Sequence, residues 1–111
     1  MAALPPKLAS TLAELELGLK GLYGERFRGL LLYGSYARGE ADEGSDVDLL
    51  LLLDGPVELS QEILRVQPIK WPLGLAADML LSVYPVNYQA FQEAKTAFLS
   101  RVRQEAVPVA A

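Results

Sequence analysis

Two aspartates one residue apart, Asp46 and Asp48, stand at the mouth of an apolar run, and Gly34-Ser35 closes the apolar run before it. Side chains alternate faces along a strand, so Asp46 and Asp48 point the same way. Two parallel carboxylates repel each other unless a cation sits between them. A glycine turn lets a phosphate approach the backbone closely, and the Ser35 hydroxyl with the N–H groups beside it can bind that phosphate. Cation plus phosphate is the chemistry of nucleotide handling.

Each element also has a plainer explanation. An isolated D-x-D is common, and a glycine followed by an N-cap serine is ordinary grammar for entering a helix. Context favours chemistry. Asp48 has Val47 on one side and five leucines, Leu49 to Leu53, on the other. An ionised carboxylate in such a strand is costly unless it is paired or bound to metal. Arg38 lies four residues beyond Gly34, about one helical turn along, and can reach back towards phosphates. Tyr36 reads as packing or stacking, and Glu40, Asp42 and Glu43 as a solvated loop face. The chain has no histidine and no cysteine. That excludes imidazole acid–base work, catalytic triads and thiolate metal sites. Any metal must then be held by oxygen, which points to Mg²⁺ or a similar hard cation.

Several elements must position these residues. Pro5-Pro6 suits a helix start, and Leu8, Leu12, Leu15, Leu19 and Leu22 mark one face of an amphipathic helix over about 6–23, ended by Gly24. Phe27–Tyr33 and Val47–Leu53 read as buried strands. Ser35 reads as the N-cap of a short helical turn running to Ala41, and 40–45 as a loop. Leu59, Ile63 and Val66 suggest a helix that Pro68 and Pro72 interrupt, giving a helix to about Val66, a bend, and a second helical piece to about Ala77. Met79–Val86 reads as a third strand. Asn87 caps a final helix over about 88–104 whose face is Phe91, Ala94, Phe98 and Val102. Residues 106–111 read as a short frayed tail. The order implies an α/β (α+β) sandwich, with helices packed on a small mixed sheet.

Composition narrows the classes. The 111 residues fit one domain, 1–111, and 51% are hydrophobic, enough for a core. No apolar run approaches a membrane span, and no secretion signal is expected at the N-terminus. The net charge of −4 argues against a broad nucleic-acid surface. A cytoplasmic protein is expected.

Gly34-Ser35, ten residues, then Asp46-Val47-Asp48 is similar to the signature of the DNA polymerase β-like nucleotidyltransferase superfamily. The fuller string GSYARGEADEGSDVDLLL resembles its minimal nucleotidyltransferase branch. The resemblance implies that Gly34 and Ser35, with Arg38, hold the triphosphate of a nucleotide such as ATP. It implies that Asp46 and Asp48 hold Mg²⁺, and that AMP passes to a hydroxyl as pyrophosphate leaves. The family supplies a third carboxylate from a later strand. Asp78 is the only acidic residue near that strand; in another register Ser82 takes the position and cannot act as a base. The branch commonly pairs with an all-helical HEPN-domain toxin, acting as antitoxin and adenylylating a tyrosine of its partner. A homo-oligomer stays open. The alternative is a module that binds nucleotide or masks a partner without turnover, and Asp78 discriminates the two.

Overall fold

The computed structural model describes residues 4–42 and 44–109; Glu43 and the last two residues of the tail lie outside them. Helix α1 (Pro6–Tyr23) leads through a 3₁₀ turn to strand β1 (Phe27–Tyr33). A four-residue helix α2 (Ser35–Arg38) follows, then β2 (Val47–Leu53), α3 (Leu59–Ala77) and β3 (Leu81–Asn87). The chain closes with α4 (Tyr88–Gln92), α5 (Ala97–Glu105) and the two-residue strand β4 (Val107–Pro108). The four strands form one mixed sheet in the order β3-β2-β1-β4. Strand β1 is antiparallel to β2 and β4, while β2 and β3 run parallel.

Strand β2 carries the core of both faces. Val47, Leu49, Leu51 and Leu53 pack with Leu8, Leu12, Leu15 and Leu19 of α1 and Val66 of α3. Leu50 and Leu52 point the other way, to Phe91 of α4 and Leu99 and Val102 of α5. Covered on both sides, the strand needs apolar residues at nearly every position. The result is three layers: α1 and α3, the sheet, then α4 and α5. Among the described residues no helix is long and apolar enough to cross a membrane.

Helix α1, β1 and β2 have the expected limits, although Tyr23 rather than Leu22 joins the core. Elsewhere the structure corrects the sequence. Helix α3 runs unbroken through Pro68 and Pro72. Both prolines are exposed, as is Leu64, one turn before Pro68. The carbonyls that the missing N–H groups leave free therefore lie on the wet side of the helix, which limits the penalty. The final helix is two: Ala94 takes a positive φ of 48°, and Thr96 caps α5 by accepting from the Leu99 N–H at 3.1 Å. Strand β3 starts at Leu81 rather than Met79. The tail is not frayed over 107–109: β4 pairs with Leu31 and Leu32 of β1, and Val109 N–H donates to the Leu30 carbonyl at 3.0 Å.

A buried polar knot ties α1 to α3. The Tyr23 hydroxyl donates to Glu62 Oε1 at 2.8 Å, and Arg26 and Arg65 approach the same carboxylate at 3.5 and 3.3 Å. Glu62 is only 3% exposed, so the ion is tolerable only because its oxygens are partnered. Burial, with the bond to Glu62, pushes the Tyr23 hydroxyl well above the usual tyrosine range. Tyr23→Phe is expected to cost about 1–2 kcal/mol by leaving one carboxylate oxygen short of a donor. The urea midpoint of the variant measures it.

Candidate active site

The even-numbered positions of β2 face α4 and α5, and Asp48 is the first of them. It continues the row that Leu50 and Leu52 fill deeper in, at the end of the strand that opens onto a cleft bordered by α5. Its register neighbours are Tyr33 on β1 and Ser82 on β3. The charges that bear on it are Asp46, Arg38 and Glu105. Burial raises the Asp48 carboxyl above the usual aspartate range; Asp46 and Glu105 push it further and Arg38 opposes them. The group is thus half-buried, carries a penalty for being charged, and has a second carboxylate close by.

Gly34 ends β1 directly beside it, at φ 76° and ψ −154°, a conformation that side chains other than glycine's hydrogen scarcely adopt. The need for glycine is steric as well. A Cβ here would fall on the Asp48 carboxylate, 3.1 Å from its Cγ. The bare Cα gives the acid its place, and the two residues identified by spacing in the sequence lie against each other. Gly34 itself occupies the N-cap of α2, and the Ser35 side chain takes no part in capping, contrary to the expected role. Ser35 instead lines an open cleft of about 320 Å³ with Tyr33, Gly34, Arg38, Asp48 and Glu105. Phe98 of α5 closes one wall, its ring 5.8 Å from that of Tyr33 and 5.5 Å from that of Tyr84.

Arg38 reaches the cleft as expected, but its partners are protein carboxylates. Its Nε donates to Glu40 at 2.6 Å and its Nη1 to both oxygens of Glu105 at 3.3 and 3.2 Å. Glu105 also accepts from the Gly34 N–H at 2.6 Å. No local pattern announces Glu105, because it is 71 residues from Gly34 in the chain. The Thr96 cap that starts α5 was its one available signal, since a single long helix would have carried residue 105 elsewhere.

Asp78 is not brought to the pair. It is the exposed C-cap of α3, left-handed at φ 54°, with its N–H bonded to the Leu75 carbonyl at 3.2 Å. It borders a separate depression of about 260 Å³ beside Lys70 and Trp71. The physical reason is register. Strand β3 begins at Leu81, which pairs with Val47, so Asp78 falls before the strand and Ser82 takes the place beside Asp48. Among the described residues no three carboxylates stand close enough to hold one metal ion. Asp46 and Asp48 suit a hard divalent cation by chemistry: two oxygen donors near one another, one of them charged at a cost that a cation relieves.

Known proteins resemble this chain in sequence and in fold. A family model described as a nucleotidyltransferase domain matches residues 14–105. A Methanocaldococcus jannaschii protein named as a putative protein adenylyltransferase is 29% identical over 103 residues, covering 93% of this chain and 99% of that one. A second protein of the same description from that organism is 47% identical over 36 residues, 32% of this chain and 36% of its own length. Two solved structures share the fold. One is a toxin-antitoxin with AMP-PNP (TM-score 0.57, 16% identity, 91% of this chain and 71% of that one). The other is a putative nucleotidyltransferase from Sulfolobus solfataricus (TM-score 0.57, 14% identity, 97% and 89%). With the family model spanning both the Gly34 turn and the Asp46-Asp48 pair, the chain belongs to the nucleotidyltransferase domain family.

Proposed function

We propose that the cleft binds ATP and transfers AMP to a hydroxyl, with Mg²⁺ held by Asp46 and Asp48. The observation that carries this reading is the contact of Gly34 with Asp48: a bare backbone and a carboxylate meet at one open cleft, with Arg38 at its rim. The Gly34 N–H, Ser35 and Arg38 bind and orient the triphosphate. A Mg²⁺ ion held by the Asp46 and Asp48 carboxylates would supply positive charge against the phosphates. Asp46 and Asp48 fix where that charge lies. The acceptor oxygen bonds to the α-phosphorus as the bond to pyrophosphate breaks, and the acceptor proton passes to solvent at the open mouth. Phe98 and Tyr33 offer an apolar wall for the base or the acceptor.

The acceptor in this reading is a tyrosine of an all-α HEPN-domain partner, with the present chain as antitoxin. The relative named for protein adenylyltransferase activity and the fold shared with a toxin-antitoxin structure support it. A second reading, binding without turnover, draws on the position of Asp78 and on Ser82 beside Asp48.

One incubation separates them. The purified chain is mixed with ATP labelled at the α-phosphate, Mg²⁺ and the HEPN-domain protein. Label on the partner's tyrosine is expected, lost with EDTA and lost in Asp46→Ala. Tight ATP binding with no label transferred overturns the enzyme reading and leaves the module.

A further inference from the structure

Glu105 is a cleft residue whose place the nucleotidyl-transfer reading does not explain. It is an acid set beside Asp48, with Asp46 close by and Glu40 sharing its arginine. Like charges so placed are unfavourable unless something repays them. What repays them is a pair of donors: the Gly34 N–H at 2.6 Å and Arg38 Nη1 at 3.3 and 3.2 Å, which together engage both carboxylate oxygens. A backbone N–H at a bare glycine and a guanidinium are the donors that a phosphate would need. The acid is also held there by the backbone. It is the last residue of α5, and two residues later β4 is paired with Leu31 and Leu32, just before Gly34 on β1.

We propose that Glu105 is a built-in stand-in for phosphate, which engages the Gly34 and Arg38 donors at the cleft and must be displaced before a polyphosphate can bind. The inference rests on the ATP reading above for the identity of the ligand. Displacement requires only a side-chain rotation, since a fifth of the Glu105 side chain is already exposed. The consequence is an affinity lower than the donors alone would give. A ligand that binds only the open state has its dissociation constant raised by the reciprocal of the open fraction. The acid also keeps Arg38 and Gly34 arranged when no nucleotide is present, so affinity is exchanged for a preformed cradle.

The test is isothermal calorimetry with Mg-ATP and with inorganic tripolyphosphate on the wild type, Glu105→Gln, Glu105→Asp and Glu40→Gln, each first checked for a wild-type circular-dichroism melt. Glu105→Gln keeps the size and removes the charge; Glu105→Asp keeps the charge and shortens the reach, which covers the case in which one variant folds poorly. Glu40→Gln removes the same charge from beside Arg38 without touching Gly34. Both Glu105 variants are expected to bind either ligand roughly 5–20-fold tighter than wild type, with Glu40→Gln changing less than twofold. The Gly34 amide proton in the wild-type NMR spectrum should shift on adding tripolyphosphate and should start shifted in Glu105→Gln. Equal affinities across the set, or an equal gain in Glu40→Gln, overturn the proposal and leave the ATP reading standing. Tighter tripolyphosphate binding in the Glu105 variants with no ATP binding in any protein overturns the ATP reading and keeps the stand-in. No binding of either ligand to any of the four overturns both.

Discussion

Asp48→Asn is expected to cut nucleotidyl transfer by about 10³-fold or more while raising the melting temperature of the metal-free protein. The two effects share one cause. In the folded chain the Asp48 carboxylate is half-buried and repelled by Asp46 and Glu105, so its charged form is penalised. The amide fills the same space without charge, and that penalty disappears. It also cannot hold a divalent cation with Asp46, and transfer fails. The pH dependence has a definite sign. A carboxyl raised by folding adds no penalty below its unfolded value and a full one above its folded value. The stabilisation by Asp48→Asn should therefore be largest near neutral pH and vanish as the pH falls to the ordinary aspartate range. Melting scans of both proteins across that range, with EDTA present, check it. An equal gain at every pH would mean that packing rather than charge is responsible.

Gly34→Ala is expected to destabilise the fold by about 2–4 kcal/mol and to lower transfer by about 10²-fold. The backbone at Gly34 is one that alanine scarcely adopts, and the added methyl lands on the Asp48 carboxylate. Gly55 provides the comparison. Its φ is 80°, yet a Cβ there meets nothing within 4 Å. Gly55→Ala should cost the backbone strain alone, about 1 kcal/mol, and leave transfer intact. The difference between the two variants measures how tightly Gly34 and Asp48 are packed. Combining Gly34→Ala with Asp48→Ala should return part of the lost stability but none of the activity, because contacting residues are not additive. Denaturant titrations of the wild type, Gly34→Ala, Asp48→Ala and the double variant give the coupling directly.

The parts legible in the sequence are those governed by short-range pattern. The leucines of α1 recur on one helical face, and β2 is a run of buried residues broken by one acid; both elements have the limits that pattern implies. Asn87 does cap a helix, accepting from the Ala90 N–H at 2.9 Å. What escaped is what long-range packing decides. Pro68 and Pro72 look like breaks, but which side of α3 is wet is a property of the whole fold. Thr96 is a cap that only the left-handed turn at Ala94 makes useful. Asp78 lies three residues from a strand whose start is set by pairing with Val47, not by its own sequence. Glu105 reaches Gly34 only because β4 folds back on β1. The local half of the site could be found from spacing; the acid that fills it could not.

The alternation along β2 has a consequence for fidelity. Sliding that strand by one residue against its neighbours would turn Leu49, Leu51 and Leu53 out of their layer and swing Asp48 into the leucines of α1. Leu50 and Leu52 would take their places, so the leucines alone do not forbid the slip; the cost of carrying an acid into an apolar layer does. The charged residue thus acts as a gauge for the greasy ones: the register that keeps Asp48 at the open cleft is the one that seats each leucine in its own layer.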